Sequence, residues 1–321
     1  MKKTINKQLL RPTVNHDSRF LSIHKGVFKM KKDYLVRGMV YQDYVRVFAV
    51  QMTETLEEIR KRLDTYPVVS AALGRTLAVS AMMGAMVKGE DRLSIVVKGD
   101  GPIGKILVDA NGKGEVRGYV SNPHVEFPLN EKGKLDVRAA VGKEGTIIVT
   151  KDLGLKDPYQ GSSPIVSGEI GEDFAYYFTV SEQIPSAVGV GVLVNPDYSI
   201  KSCGGFIFQV MPDTPEEVIA ALERDISQIR PVSAMVNDGL TPEEMLKEIT
   251  GQEAKILGEL PIVFKCHCSR QRVESALISL GKEELQAMID EENEAEIQCH
   301  FCNEKYHVSR EELAKLINVK H

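Results

Sequence analysis

Between residues 33 and 211, short runs rich in β-branched residues alternate apolar and polar positions and are punctuated by glycine. The runs "RLSIVVKG" (92–99), "GKILVDANGKGEVRGYV" (104–120), "GTIIVTKD" (145–152), "FAYYFTV" (174–180) and "VGVGVLVN" (188–195) each read as strand, and Asn111-Gly112 supplies a hairpin turn. Two segments change period. "TLEEIRKRLDTY" (55–66) and "PVVSAALGRTLAVSAMMGAMVK" (67–88) predict helices, the second apolar nearly all round and so suited to burial against a sheet. The pattern predicts an α+β core domain over 30–212 whose sheet is mostly antiparallel, with helices packed on it.

The pattern changes after Pro212. "TPEEVIAALERDISQIRP" (214–231) offers Thr214 as N-cap, Pro215 at N1 and Glu217 at N3, and Val218, Leu222, Ile226 and Ile229 fall on one helical face. "TPEEMLKEITG" (241–251) repeats the start signal and stops at Gly251. Short amphipathic helices need a surface to lie on, so 213–259 reads as a helical linker. From Leu260 to His321 a third unit follows, with helices capped at Ser269, beginning near Lys282, and capped at Ser309 with Glu312 at N3. It holds too few apolar residues to be stable unaided, so something must staple it.

The staple is sulfur. Four of the five cysteines lie in this unit, Cys266 and Cys268 in "FKCHCSR" and Cys299 and Cys302 in "QCHFCNEKYH". Two close pairs held apart by a helical segment are the arrangement for one tetrahedral Zn²⁺ per chain, each pair forming one edge of the tetrahedron. His267, His300 and His307 lie near enough to compete, but four thiolates are the softer set. Cys203, in "KSCGGF", has no nearby partner and reads as a small buried apolar residue. Each pair is also close enough to close a local disulfide, and such small loops constrain little of the chain. Oxidation would then release the metal and leave the unit unfolded. The alternative is a constitutive structural zinc domain acting as a binding module.

Charge and the remaining motifs exclude other classes. The net charge of −5 hides seven Lys or Arg against one acid before Met30; removing them leaves 33 basic and 44 acidic residues, a net charge of −11. A body of that sign repels a phosphate backbone, 282–296 adds seven acids against one lysine, and the chain has no tryptophan for base stacking. Residues 1–29 lack the apolar stretch of a secretory signal and are expected to be a disordered arm or an unused upstream start. No membrane span is expected, and a cytoplasmic location would keep the thiols reduced. Gly99-Asp-Gly101-Pro-Ile-Gly104 matches GxGxxG, but a strand rather than a helix follows it, so no nucleotide site is expected. The CxxC at 299–302 lacks the βαβ context of a thiol oxidoreductase, and no other catalytic constellation is present, so no enzyme is expected.

From Met30 onward, "KDYLVRGMV", "SAALGRTLAVSAMMGAM", "GDGPIGKILVDANGKGEVRGYVSNP", "GKLDVRAAVG", "SGEIGEDFAYYFTVSEQIPSAVGVGVLV", "GGFIFQVMP", "CHC" and "CHFCNEKY" follow one another in an order that resembles the redox-regulated chaperone family heat shock protein 33, the 33 kDa chaperonins. The resemblance implies an inactive reduced form with zinc on Cys266, Cys268, Cys299 and Cys302. It implies that hypochlorous acid, or peroxide with heat, forms disulfides Cys266–Cys268 and Cys299–Cys302 and expels the metal. The C-terminal unit and linker then unfold, the chain dimerises, and unfolding client proteins are held without ATP. Val218, Leu222, Ile226 and Ile229 are the linker face expected to be uncovered.

Overall fold

The structure is a computed structural model that describes residues 33–291 and 294–317; the expectations for residues 1–29 lie outside the described residues. The chain opens with the hairpin β1 (Tyr34–Val40) and β2 (Val45–Gln51), then α1 (Thr53–Leu63) and α2 (Pro67–Gly84). A meander of β3 (Arg92–Gly99), β4 (Lys105–Asn111) and β5 (Glu115–Val120) leads through α3 (Val137–Val141) to β6 (Gly145–Asp152) and β7 (Tyr159–Pro164). Next come α4 (Gly171–Tyr177), which runs on as a π-helical turn (Phe178–Glu182), then β8 (Ser186–Val194) and β9 (Ile200–Val210). The strands form two sheets in the orders β10-β1-β2-β9-β8 and β11-β5-β4-β3-β6-β7, where β10 (Lys255–Pro261) and β11 (Val263–Phe264) arrive from late in the sequence. Every pair is antiparallel except β11 with β5.

Helix α2 lies between the sheets, in contact with β2, β8 and β9 of one and β3, β4 and β5 of the other. All its residues except Pro67 and Arg75 are buried, as an apolar sequence without a polar face requires. Its polar groups are satisfied within the chain: Thr76 and Ser80 hydroxyls donate to the carbonyls of Ala72 (2.9 Å) and Thr76 (2.8 Å), and Arg75 pairs with Glu169 at 2.8 Å. By length and composition this helix could cross a membrane, but 89% of it is buried inside the protein. Its apolar surface is already covered by the sheets.

The five-stranded sheet is apolar on both faces with a period of two. Leu35, Phe48, Val50 and Ile207 point toward α2. Tyr34, Val36, Val47, Ala49, Phe206 and Phe208 point the other way, under α5 (Glu216–Ser227), α6 (Val232–Asn237) and α7 (Pro242–Thr250). The linker helices therefore form the only cover described over that face.

Two local expectations are corrected. "FAYYFTV" is helical rather than extended. Phe174, Tyr177 and Phe178 are buried at the i, i+3, i+4 spacing of a helix face, and Asp173 fastens the start. Its carboxylate accepts from the N–H groups of Val166 (2.9 Å), Ser167 (2.7 Å), Gly168 (3.2 Å) and Ile170 (3.0 Å). Asp173→Ala strands these donors and should cost about 3 kcal/mol, seen as an earlier urea midpoint of the core transition. The second correction concerns the repeated TPEE. At 241 the box forms: Thr241 Oγ1 accepts from the Glu244 N–H at 3.2 Å and Glu244 accepts from the Thr241 N–H at 2.8 Å. At 214 it does not, because the Thr214 hydroxyl donates to the carbonyls of Met211 (2.7 Å) and Tyr44 (3.1 Å), and α5 begins at Glu216.

The stretch after α7 is not helical. β10 pairs along β1. Ile262, 2% exposed, enters the central core, and β11 joins β5 of the second sheet. Gly114 makes this crossing possible: its φ of +78° suits the turn before β5, and a Cβ there would stand 2.0 Å from the Pro261 carbonyl oxygen. Beyond this strap, α8 (Arg270–Leu280), α9 (Lys282–Glu291), the hairpin β12 (Glu294–Gln298) and β13 (Lys305–Ser309), and α10 (Arg310–Ile317) enclose a separate small core of Val273, Leu277, Leu285, Ile289, Ala295, Val308 and Leu313.

Candidate metal centre

Two loops present the cysteines. Lys265 ends the strap by donating its N–H to Val116 O at 3.0 Å, and Cys266-His267-Cys268 follows at once. Ser269 then accepts from the Arg272 N–H at 3.3 Å and starts α8, which fixes the loop's exit. Cys299 to Cys302 form the turn of the β12–β13 hairpin. The Cys299 carbonyl accepts from Cys302 (3.4 Å) and Asn303 (2.8 Å) N–H groups, and Asn303 takes the left-handed φ of +58° that closes the turn.

The four Sγ atoms lie within 4.8 Å of one another. Cys266 and Cys299 approach to 3.7 Å, Cys268 and Cys302 to 3.4 Å. A tetrahedron of zinc–sulfur bonds of about 2.3 Å has edges of about 3.8 Å, so this spacing fits the ion. No histidine joins the cluster among the described residues. His267 faces Glu115, Nε2 to Oε2 3.5 Å; His307 faces Glu296 at 3.6 Å; His300 stacks on Tyr119, centroids 5.4 Å apart. An all-sulfur set favours a soft or borderline cation over a hard one.

The electrostatics point the same way. Burial opposes ionisation of Cys266, yet hydrogen bonds from the Cys268 backbone and from the neighbouring thiols bring its pKa down to about 7. Burial pushes Cys302 up, reinforced by the other sulfurs, and burial raises Cys299. One sulfur ionises readily and its neighbours then resist, a conflict that a bound cation relieves. The Tyr306 hydroxyl donates to Cys268 Sγ at 3.2 Å. Cys203 stands apart, fully buried, with burial pushing its thiol up and its Sγ 3.7 Å from the Gly74 carbonyl.

The Hsp33 protein family model matches residues 33–309. The chain is 55% identical over 284 residues to the 33 kDa chaperonin of Bacillus velezensis, covering 88% of this chain and 98% of that one. It is 56% identical over 286 residues to the 33 kDa chaperonin of Brevibacillus brevis, covering 89% and 98%. The chain belongs to the Hsp33 family. The crystal structure of the 33 kDa chaperonin of Thermotoga maritima superposes with a TM-score of 0.84 at 38% identity, covering 89% of this chain and 98% of that one.

In this Hsp33 chain the predicted linker residues lie where their spacing placed them, with one difference. Leu222 is buried against the five-stranded sheet, and Val218 and Ile226 pack beside it from α5. Ile229 reaches the same cluster from the turn after α5, not from the helix. Two tyrosines on the β1 strand and the turn after it pin these helices, Tyr34 donating to Glu243 of α7 at 2.7 Å and Tyr41 to Asp225 of α5. The sequence reading missed both, along with Tyr306 and the aromatic and basic residues of β5. Only pairing across more than a hundred residues identifies most of them.

Proposed function

We propose that this chain is a redox-gated holdase, a non-enzymatic, ATP-independent chaperone of the cytoplasm whose clients are unfolding proteins. The observation that carries the reading is the convergence of four sulfurs from two loops onto one site, in a unit with only a small core of its own. When bound, zinc holds Cys266, Cys268, Cys299 and Cys302 as thiolates and cross-links the two loops. In this state the linker helices stay on the five-stranded sheet and the chain is inactive.

Oxidation removes two electrons from each sequence-adjacent pair. An Sγ–Sγ bond forms between Cys266 and Cys268, and another between Cys299 and Cys302. For each, two thiolates, one hypochlorous acid and one proton give a disulfide, chloride and water, so chlorine accepts the electrons. A disulfide sulfur is neutral and a poor donor, so nothing then joins the loops. These bonds close very short rings and return little of the lost stability. The unit beyond the strap, 266–317, unfolds, the helices α5 to α7 loosen, and the apolar faces that these helices share with the five-stranded sheet become available to clients and to a second copy of the chain.

The test is light scattering from a chemically unfolded client diluted into the protein, reduced and zinc-loaded in one sample and hypochlorite-treated in the other. Only the oxidised sample is expected to suppress aggregation. Equal behaviour in both would return the cysteines to a purely structural role. Peptide mapping of the oxidised sample is expected to find the two local disulfides. Sulfurs also approach across the loops, Cys266 to Cys299 and Cys268 to Cys302, and disulfides of that pairing would keep the loops joined and remove the unfolding step.

A further inference from the structure

The residues that separate the cysteines within each motif all face one strand. Along β5, Val116, Gly118 and Val120 point inward, while Glu115, Arg117 and Tyr119 form a half-buried outward stripe. His267, between Cys266 and Cys268, sits 3.5 Å from Glu115. Phe301, between Cys299 and Cys302, has the Arg117 guanidinium carbon 4.0 Å from its ring centroid and meets Tyr119 edge-on, centroids 5.1 Å apart at 89°. His300 stacks on the same tyrosine with its plane inclined by 26°. Next to the last cysteine, Asn303 Nδ2 donates to the Arg62 carbonyl at the end of α1, 2.6 Å away.

The stripe is prepared for this contact. Arg117 is held flat by Asp109 on the adjacent strand, Nε to Oδ2 2.9 Å and Nη2 to Oδ2 2.7 Å. The guanidinium that covers Phe301 is therefore fixed by the core and not by the loop. Both cysteine loops rest on one rigid surface, and they do so only when close together, which is also the condition for their sulfurs to converge.

We propose that the outward face of β5 is a docking platform for the metal loops, and that it sets how readily the cysteines are oxidised. Arg117, Tyr119 and Phe301 act as positioning residues. Docked loops keep the sulfurs packed around the ion; undocked loops part, and an oxidant reaches the thiolates. Because docking and metal binding favour the same loop arrangement, each strengthens the other by one common factor. This inference rests on the proposal that the cysteines hold zinc and lose it on oxidation.

The experiment follows zinc release from the full-length reduced protein with a chromogenic zinc indicator after addition of hypochlorous acid, for wild type, Arg117→Ala, Phe301→Ala and the double variant. Phe301→Ala, which loses the cation–π contact and the edge of Tyr119, is expected to release zinc about tenfold faster, and Arg117→Ala, which loses the cation–π contact alone, about threefold faster. The double variant should be no faster than Phe301→Ala, since that change already removes the contact with Arg117. Zinc affinity of the reduced variants, from chelator competition, should fall by the same factors. Phe301→Leu, which keeps bulk but not the ring's negative face, should lie between wild type and Phe301→Ala. Single variants that match wild type overturn the proposal, as do effects that multiply in the double variant, because these would be separate losses of stability. A wild-type protein that binds no zinc, or keeps it after oxidation, overturns the underlying metal reading and this one with it. Wild-type release combined with unchanged variants defeats the platform alone.

Discussion

Chelating the metal from the reduced protein is expected to unfold residues 266–317 while the two large sheets stay folded. That unit is about fifty residues long, and its core among the described residues is seven buried side chains, of which Ala295 contributes little area. A structural zinc contributes on the order of 10–16 kcal/mol in peptides of this kind, which matches or exceeds the roughly 5–15 kcal/mol that holds a typical domain together. Removing it leaves no margin. The strap behaves differently, because Ile262 is anchored in the central core and its N–H donates to Asp33 O at 2.9 Å. Hydrogen exchange read by mass spectrometry makes the boundary visible. After chelation, amides of α8, α9, α10 and the β12–β13 hairpin should exchange at unfolded-chain rates, with α2, β2 and β9 still protected. Continued protection of α8 and α10 without metal would mean that the small core suffices alone. Cys302→Ser, which removes one sulfur, should give the same pattern without chelator.

What could be read from the sequence was local, and what could not was set by distant partners. The all-round apolar 67–88 announced a helix with no exposed face, and the two-sheet sandwich around α2 is the architecture that accommodates it. The Thr241 and Ser309 caps formed because their partners lie three residues away. Thr214 carries the same signal, but the carbonyls of Met211 and of Tyr44, the latter 170 positions away in sequence, take its hydroxyl. The aromatics of 174–180 have high strand propensity; the burial of Phe174, Tyr177 and Phe178 on one side overrides it. At the metal centre the four sulfurs were legible because metal ligation imposes a spacing on the chain. Arg117 and Tyr119 were not, since nothing near them in sequence distinguishes an outward strand stripe from ordinary solvated surface. The strap over 255–264 was likewise invisible, because its β-character comes from pairing with β1 and β5.

Leu222→Asp is expected to produce a chaperone that works with all four cysteines reduced. Leu222 is 5% exposed, on the side of α5 that faces Tyr34, Val36 and Phe208 across the sheet's outer cluster. An aspartate there loses the apolar contact and places a carboxylate among apolar side chains, a combination costing about 3 kcal/mol or more. That shifts the balance between docked and detached helix by about a hundredfold. The cost falls on the linker and not on the rest of the fold, because the opposite face of the same sheet is packed independently around α2. Light scattering should show aggregation suppressed without oxidant, hydrogen exchange should rise through 216–250, and zinc should remain bound, since α8, α9 and α10 build their own cluster and α5 packs in another. If instead the variant loses protection in α2 and β9 as well, α5 is permanent core. Detachment of the linker could not then be the gating event, whatever the cysteines do. Leu222→Ala separates the two outcomes by degree. It forfeits the packing but buries no charge, so it should leave the reduced protein inactive and lower only the amount of oxidant needed to uncover the face.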